Sequence, residues 1–584
     1  MWKPLERFRL IWDGALRALA GARARLLLAT LGLISGVLVG GIVILFRWVI
    51  ETAQSAMLPG ADPENYEALD AALRFLLSLS GGLVLGLMYL LVARTPLRVG
   101  VIHVMERLAY HEGYLPVKNA LVQFIGGAIS IIAGHSVGRE GPSIHLGAAG
   151  ASLMGQWLRL PNNSIRTLVA CGVAAAIAAS FNTPLAGVIF AMEVVVMEYT
   201  ISGFAPVILS AVSATALNRI IFDVHPAFHV PQMQLASFWE LPAIAVMGFY
   251  IGALAALFIF LLKKFTELGQ RLPVWAQMTA AGAGVGLCAL LLPEVMSIGY
   301  DTVNTALLGD IVLASLAGIL FIKLLATAMC IGFNLPAGLI GPTLFMGAMA
   351  GGIAGQLMQN APGPVSHVGL YTMLGMGAMM GATLQAPLAA LLALMELTGN
   401  VNIIFPGMLA IITASLTATE LFGQGSVYLS QSRWIGLDYR YDPVSQSLRR
   451  LAVSSILDES FIVLKSQVNR DHAQKVLSES KPRWLVLSRE NGNLLLPAAD
   501  LARYLEETQE EEIDLMEIPG KRQQLMRVPY QSTLQQALDI LDQSEADAIY
   551  VVRPLGFAAE RIYGVATRKD ITEAYHLKGS SHFY

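Results

Sequence analysis

Gly138-Arg139-Glu140-Gly141-Pro142-Ser143-Ile144-His145-Leu146-Gly147-Ala148 returns 200 residues later as Gly338-Leu339-Ile340-Gly341-Pro342-Thr343-Leu344-Phe345-Met346-Gly347-Ala348. The shared skeleton is G-x-x-G-P-[ST]-x-x-x-G-A. A second pair follows. Gly172–Glu193 reads GVAAAIAASFNTPLAGVIFAME, and Gly377–Glu396 reads GAMMGATLQAPLAALLALME. Pro184 and Pro387 each stand nine residues before a glutamate, Glu193 and Glu396. A chain that repeats Gly- and Pro-broken apolar segments is built from two like halves. Matched breaks in two such halves point to a binding site between them.

Of the 584 residues, 55% are hydrophobic and 14% charged, with a net charge of −3. About half of the charged residues lie after residue 440, so the first part is poorer still. Long apolar runs fill it: Leu26–Phe46, Phe75–Val92, Ala120–Ala133, Leu241–Leu262, Met278–Leu292 and Ile311–Ile331, the last interrupted by Lys323. A bilayer core takes about 20 helical residues, so several of these can span. The run Leu168–Ser180 is too short to span alone. Its small residues suit a helix that stops within the membrane or packs closely. So many charge-free runs exclude a soluble protein with buried helices.

Residues 1–24 read as an amphipathic helix. Its Lys3, Arg7, Arg9, Arg17 and Arg23 place the N-terminus in the cytoplasm. It lacks the short apolar core and small-residue cleavage site of a removable signal. Residues 25–220 form a first membrane half and 240–430 a second, with Phe222–Glu240 as linker. A polar stretch around Gln431–Gln446 leads to a soluble region over 447–584. There an apolar run, Trp484–Leu487, precedes Leu494–Asp500 and a helical pattern. Ile549–Val552, Tyr563–Asp570 and a second helical pattern repeat that order. Strand, strand, helix in two copies is a paired α/β module. Cys171, Cys288 and Cys330 lie in apolar segments and read as packing residues, not as disulfides or metal ligands.

The glycines of G-R-E-G-P-S let backbone amides approach a ligand, and Pro142 suits the first turn of a helix. A helix N-terminus holds an anion through free N–H groups without burying a full positive charge. Glu140 sits at that end. An intramembrane carboxylate is costly and marks function by default. It reads as a tethered anion at an anion site, released on protonation; the bland alternative is a capping acid facing water. The second copy has Leu339-Ile340 instead, so its amides are expected to be free for an untethered anion.

These motifs resemble the CLC family of chloride channels and chloride/proton antiporters. Gly138–Ser143 is similar to the family's G-[KR]-E-G-P signature, and Gly338–Pro342 resembles its G-x-F-x-P element with Ile340 for Phe. Asn182–Gly187 and Ser426-Val427-Tyr428 resemble further family segments. The resemblance implies an all-helical polytopic membrane fold with an inverted repeat and broken helices. It also implies a homodimer with one anion pathway per subunit. Glu140 would be the gating glutamate and proton acceptor. Tyr428 would turn its hydroxyl to the central anion, unless another protein group satisfies it. The amides of Leu339 and Ile340 would complete the site.

Two departures stand out. The family's anion-site serine falls on Val99, which removes one donor. The inner proton-relay glutamate of many antiporters falls on Val194. Glu193 and Glu396 read as structural, holding broken-helix backbone through hydrogen bonds. His103, His135 and His145 read as locally satisfied rather than as relays. The C-terminal region resembles a tandem cystathionine-β-synthase-type pair. In it Thr567 and Asp570 resemble a ribose-binding T-x-x-D, so an adenine nucleotide is a candidate ligand, while an empty stabilising module is equally compatible. The resulting reading is a transporter, not an enzyme. It sits in a lipid bilayer, in a bacterial inner membrane with both termini cytoplasmic. It moves chloride or a similar small anion in exchange for protons, without metal, cofactor or nucleic-acid partner. A passive channel of the same fold is the alternative. A sensor whose membrane part only anchors the C-terminal pair fits less well, since an anchor needs neither repeat nor Glu140.

Overall fold

The computed structural model describes residues 24–92, 97–199, 201–222, 228, 233–437, 443–488, 492–555 and 559–579. They fall into two bodies, one over 28–158 and 165–437, the other over 24–27, 159–164, 443–488, 492–555 and 559–579. The expected amphipathic helix over 1–24 lies outside the described residues except for Ala24, as do nine of the nineteen residues of the Phe222–Glu240 linker.

The first body is helical. Its first half runs α1 (Ala24–Met57), α2 (Ala71–Val92), α3 (Gly100–Tyr110), α4 (Val117–Ile132), α5 (Glu140–Trp157), α6 (Asn162–Phe181), α7 (Pro184–Phe190) and α8 (Ile201–Ile221). The second half runs α9 (Leu241–Gly269), α10 (Val274–Leu291), α11 (Tyr300–Leu308), α12 (Leu313–Gly332), α13 (Ile340–Met358), α14 (Val368–Leu384), α15 (Pro387–Thr398), α16 (Ile404–Leu416) and α17 (Val427–Trp434). Among the described residues, eight helices are long and apolar enough to cross a bilayer. The run Leu168–Ser180, expected to be too short, belongs to α6, which reaches 20 residues because Asn162–Thr167 extend it. The polar stretch expected from Gln431 opens within the last turn of α17, which continues to Trp434.

Equivalent residues of the two halves meet face to face. Gly138 N–H donates to Gly338 O (2.7 Å) and Gly338 N–H to Gly138 O (2.9 Å), an antiparallel bridge. On α2 and α10, a Cβ at Gly82 would lie 2.5 Å from Met278 O, and one at Gly282 would lie 2.5 Å from Ser78 O. Contacts between a residue and its own counterpart, with the chains antiparallel, place a pseudo-two-fold axis there; the repeat is inverted. Small residues also let helices close within each half. A Cβ at Gly147 would meet Gly172 O at 2.4 Å, and one at Gly347 would meet Gly375 O at 2.3 Å. The prolines act as the sequence reading requires. Asn182 and Gln385 take left-handed backbone (φ 59° and 55°), and Pro184 and Pro387 then open α7 and α15 in their first turns.

Lys323 is fully buried in α12. Its ammonium donates to Val295 O (3.1 Å) and Ser297 O (2.8 Å) and lies 4.5 Å from the centre of the Phe345 ring. It therefore gives donors to two loop carbonyls in an apolar setting.

The second body holds α18 (Pro443–Arg449), β1 (Phe461–Leu464), β2 (Gln467–Asn469), α19 (Arg470–Ser480), β3 (Trp484–Leu487), β4 (Asn493–Pro497), α20 (Ala498–Glu507), β5 (Glu512–Asp514), β6 (Gln523–Pro529), α21 (Leu534–Ser544), β7 (Ala548–Leu555), β8 (Ala559–Thr567) and α22 (Arg568–Gly579). One sheet has the order β1-β3-β4-β6-β7-β8, and β2 pairs with β5. The expected strand, strand, helix units are β3-β4-α20 and β7-β8-α22, each an antiparallel pair feeding a helix. Parallel pairing of β1 with β3 and of β6 with β7 completes two similar lobes in one sheet.

Candidate anion site

The bridge between Gly138 and Gly338 brings the N-termini of α5 and α13 together. A Cβ at Gly141 would stand 2.6 Å from Gly338 Cα, so the approach requires glycine. Glu140 is the first residue of α5 and is fully buried. Its Oε1 accepts from Tyr300 Oη (3.0 Å), and its Oε2 accepts from Gly341 N–H (3.2 Å). The carboxylate thus lies against the N-terminus of the other half's helix, where partial positive charge and free donors favour an anion. This corrects one expectation. The amides of the second turn are not all free, because the Gly341 amide holds Glu140.

Two cavities are lined by the chain neighbours of Glu140. One, of about 530 Å3, is lined by Arg47, Glu51, Glu64, Arg139, Phe181 and Tyr300 among others. Arg139 reaches Glu51 (3.5 Å) and Ser180 O (3.5 Å) there. The other, of about 540 Å3, is lined by Val99, Gly100, His103, Gly141, Leu339 and Tyr428 among others. Arg139 and Tyr300 line the first space and Gly141 the second, and Glu140 itself lines neither.

The structure brings most of the expected site residues to the second cavity. Val99 is the residue before α3; Gly100 follows it at φ 79° and α3 starts there. The valine side chain makes no capping hydrogen bond. Leu339 precedes α13. Ile340, the first residue of α13, turns its side chain into a separate apolar crevice with Phe181, Phe190 and Met380, so only its backbone belongs to the anion site. Tyr428, in the first turn of α17, is buried, and its hydroxyl has no protein partner. A buried hydroxyl without a partner costs about 1–3 kcal/mol. The alternative in which another protein group satisfies it does not hold.

Glu193 and Glu396 act as the sequence reading expects. Glu193 accepts from Leu388 N–H (3.3 Å) and Ala389 N–H (2.7 Å) at the start of α15. Glu396 accepts from Leu185 N–H (3.0 Å) and Ala186 N–H (2.8 Å) at the start of α7. Each half caps the other's broken helix, satisfying amides that a proline-started helix leaves free. Val194 is buried and apolar. His135 Nε2 meets Ser78 O at 2.9 Å, a local partner.

Sequence reasoning missed Tyr300 and Gly341 as partners of Glu140. No spacing signal leads to Tyr300, 160 residues away. Gly341 was legible only as a turn glycine. In the second body, Thr567 Oγ1 and N–H both donate to Asp570 Oδ2 (2.7 Å each) at the start of α22. Arg568 pairs with Asp542 (2.5 Å) and Lys569 with Glu573 (3.5 Å). The T-x-x-D residues thus cap a helix with one another.

The family model described as voltage gated chloride channel matches residues 81–419. A chloride channel protein, ClcB-like, of Ralstonia nicotianae is 34% identical over 64% of this chain and 89% of its own length. An H(+)/Cl(-) exchange transporter, ClcA, of Vibrio cholerae is 30% identical over 52% of this chain and 67% of its own. The crystal structure of a eukaryotic CLC transporter, 18% identical, superposes with a TM-score of 0.60 over 93% of this chain and 97% of that one. The architecture, an inverted repeat of broken helices meeting at paired glycine turns, is that of CLC transporters. The chain belongs to the voltage gated chloride channel family.

Proposed function

We propose that this protein carries chloride or a similar small anion across a membrane in exchange for protons, with Glu140 as gate and proton acceptor. The observation that carries the reading is the placement of Glu140. A carboxylate on its own helix N-terminus takes the other half's Gly341 amide, a donor that an anion would use, and its chain neighbours Arg139 and Gly141 line one cavity each. Deprotonated, it competes with the substrate; protonated, it loses its claim on those donors and the path opens. The central anion then rests on the Tyr428 hydroxyl and on the backbone around Leu339 and Ile340, beside Val99. The Arg139 cavity faces outward and the Tyr428 cavity inward, both termini being cytoplasmic in a bacterial inner membrane. Two copies form a homodimer with one pathway each.

The test is purified protein in liposomes with chloride efflux and internal pH recorded together. Uphill proton movement driven by a chloride gradient is the expected result; chloride flux that leaves protons at equilibrium is the result of a channel. The Val194 side chain favours that second reading, because no carboxylate stands there.

The C-terminal region is proposed to be a tandem cystathionine-β-synthase-type pair. Its two strand-strand-helix units support this. Adenine nucleotide would meet Thr567 and Asp570 at α22, displacing their mutual contact. A thermal-shift titration with ATP, ADP and AMP should show stabilisation; its absence makes the pair purely structural.

A further inference from the structure

Two histidines that read as locally satisfied touch each other. His103 Nδ1 and His145 Nε2 are 3.0 Å apart, the rings edge-on with centroids 5.0 Å apart. Both residues are buried. His103 lies on α3 and lines the Tyr428 cavity. His145 lies on α5, five residues past Glu140, which is about 7.5 Å along the helix axis. The remaining ring nitrogen of His145, Nδ1, is buried and has no partner.

The Tyr428 cavity needs a group that takes and gives up a proton. Its described lining holds Tyr89, Arg98, His103 and Tyr428 as the only ionisable side chains. A guanidinium stays protonated, and of the remaining side chains only the imidazole has two ring nitrogens, so that it can take a proton at one and give one up at the other. The groups acting on His103 are Arg107, Arg98 and His111, with His145 closest from α5. Arg98 is itself paired with Glu106 (2.5 Å) and Arg107 bonds Tyr114 O. The elements packed on α3 add Tyr428 and Arg433 from α17 and Glu193 from the turn after α7. That glutamate is already held by two amides. Position 345, the counterpart of His145, is phenylalanine, so the pair belongs to the gated half alone.

We propose that His103 and His145 are the proton relay between the Tyr428 cavity and the region of Glu140. The proposal rests on the exchange reading above. A proton from the cavity binds His103 Nε2. His103 passes its Nδ1 proton to the His145 Nε2 lone pair, and His145 hands its Nδ1 proton to a water molecule, which delivers it to the Glu140 carboxylate. At each ring one N–H bond forms and one breaks, so both end neutral. A ring flip, or a proton passed the other way, resets the pair.

The test uses full-length protein in liposomes, reading chloride efflux and proton uptake together. His145→Gln and His103→Gln keep a hydrogen-bonding side chain but cannot relay. Each should cut proton uptake at least roughly tenfold, while chloride efflux continues. His135→Gln, equally buried but bonded to the Ser78 carbonyl, should keep the native ratio of protons to chloride. If His145→Gln and His103→Gln both keep that ratio while the native protein pumps protons, the relay is elsewhere and exchange stands. If the native protein moves no protons at all, exchange fails and the relay with it.

Discussion

The two glycine turns share a backbone and differ in what they hold. Gly138, Gly141 and Pro142 match Gly338, Gly341 and Pro342, and the two turns bond to each other. Glu193 and Glu396 are likewise matched and cap each other's half. Glu140, by contrast, corresponds to Ile340, and His145 corresponds to Phe345. Residues that obey the repeat build the scaffold. Residues that break it are the ones to which the proposed gating and proton transfer fall. A symmetric frame brings two helix N-termini together, and a single asymmetric carboxylate lies between them.

The sharpest way to break this comparison is Glu140→Gln. It removes the one carboxylate that the second turn lacks. Anion flux should persist, lose its dependence on external pH and carry no protons, whereas the native protein speeds up as external pH falls. Flux and pH recording in liposomes checks this. Full proton exchange in the variant would show that Glu140 is not the gate.

Symmetry itself is tested next. Glu193→Ala and Glu396→Ala each remove two bonds from amides to a carboxylate, where one charge-assisted bond contributes roughly 1.5–3 kcal/mol. Both should lower the melting temperature in detergent, and by similar amounts. A large loss in one and none in the other would break the equivalence of the halves.

Val99→Ser adds a donor at the start of α3 beside the Tyr428 cavity. Chloride binding should tighten by roughly 1.5–3 kcal/mol at most, as read by calorimetry. The native protein should bind chloride weakly and discriminate little among chloride, bromide and nitrate. Tight native binding, unchanged in the variant, contradicts this. The smallest effect belongs to Tyr428→Phe. Its hydroxyl has no protein partner, so thermal stability should stay level or rise, while anion binding weakens by about 1 kcal/mol. A clear fall in stability would mean that the hydroxyl serves the fold.

Much of this frame was legible in residue order alone. The 200-residue offset announced two halves, the prolines marked where helices restart, and the strand-strand-helix order marked the C-terminal region. Glu193 and Glu396 were readable as backbone caps because a proline-started helix leaves amides to be satisfied. The contacts that close the site were not readable. Tyr300 reaches Glu140 from a helix with no repeat signal, and His103 meets His145 only because α3 packs on α5. A single histidine in an apolar run carries no mark of its partner. The reach of Leu168–Ser180 was also underestimated, since polar residues at Asn162–Thr167 hide the first turns of α6 from a hydropathy reading.

The mutual bond between Gly138 and Gly338 has a consequence for synthesis. A ribosome that has finished the first half has made Glu140 but neither Tyr300 nor Gly341. The nascent carboxylate must wait in the membrane without its donors until the second half threads in with the opposite orientation. Misinsertion of that half therefore leaves an unpaired acid within the bilayer, where leaving it unsatisfied is most costly. The gate doubles as a checkpoint on assembly, and a half-inserted chain exposes its own fault.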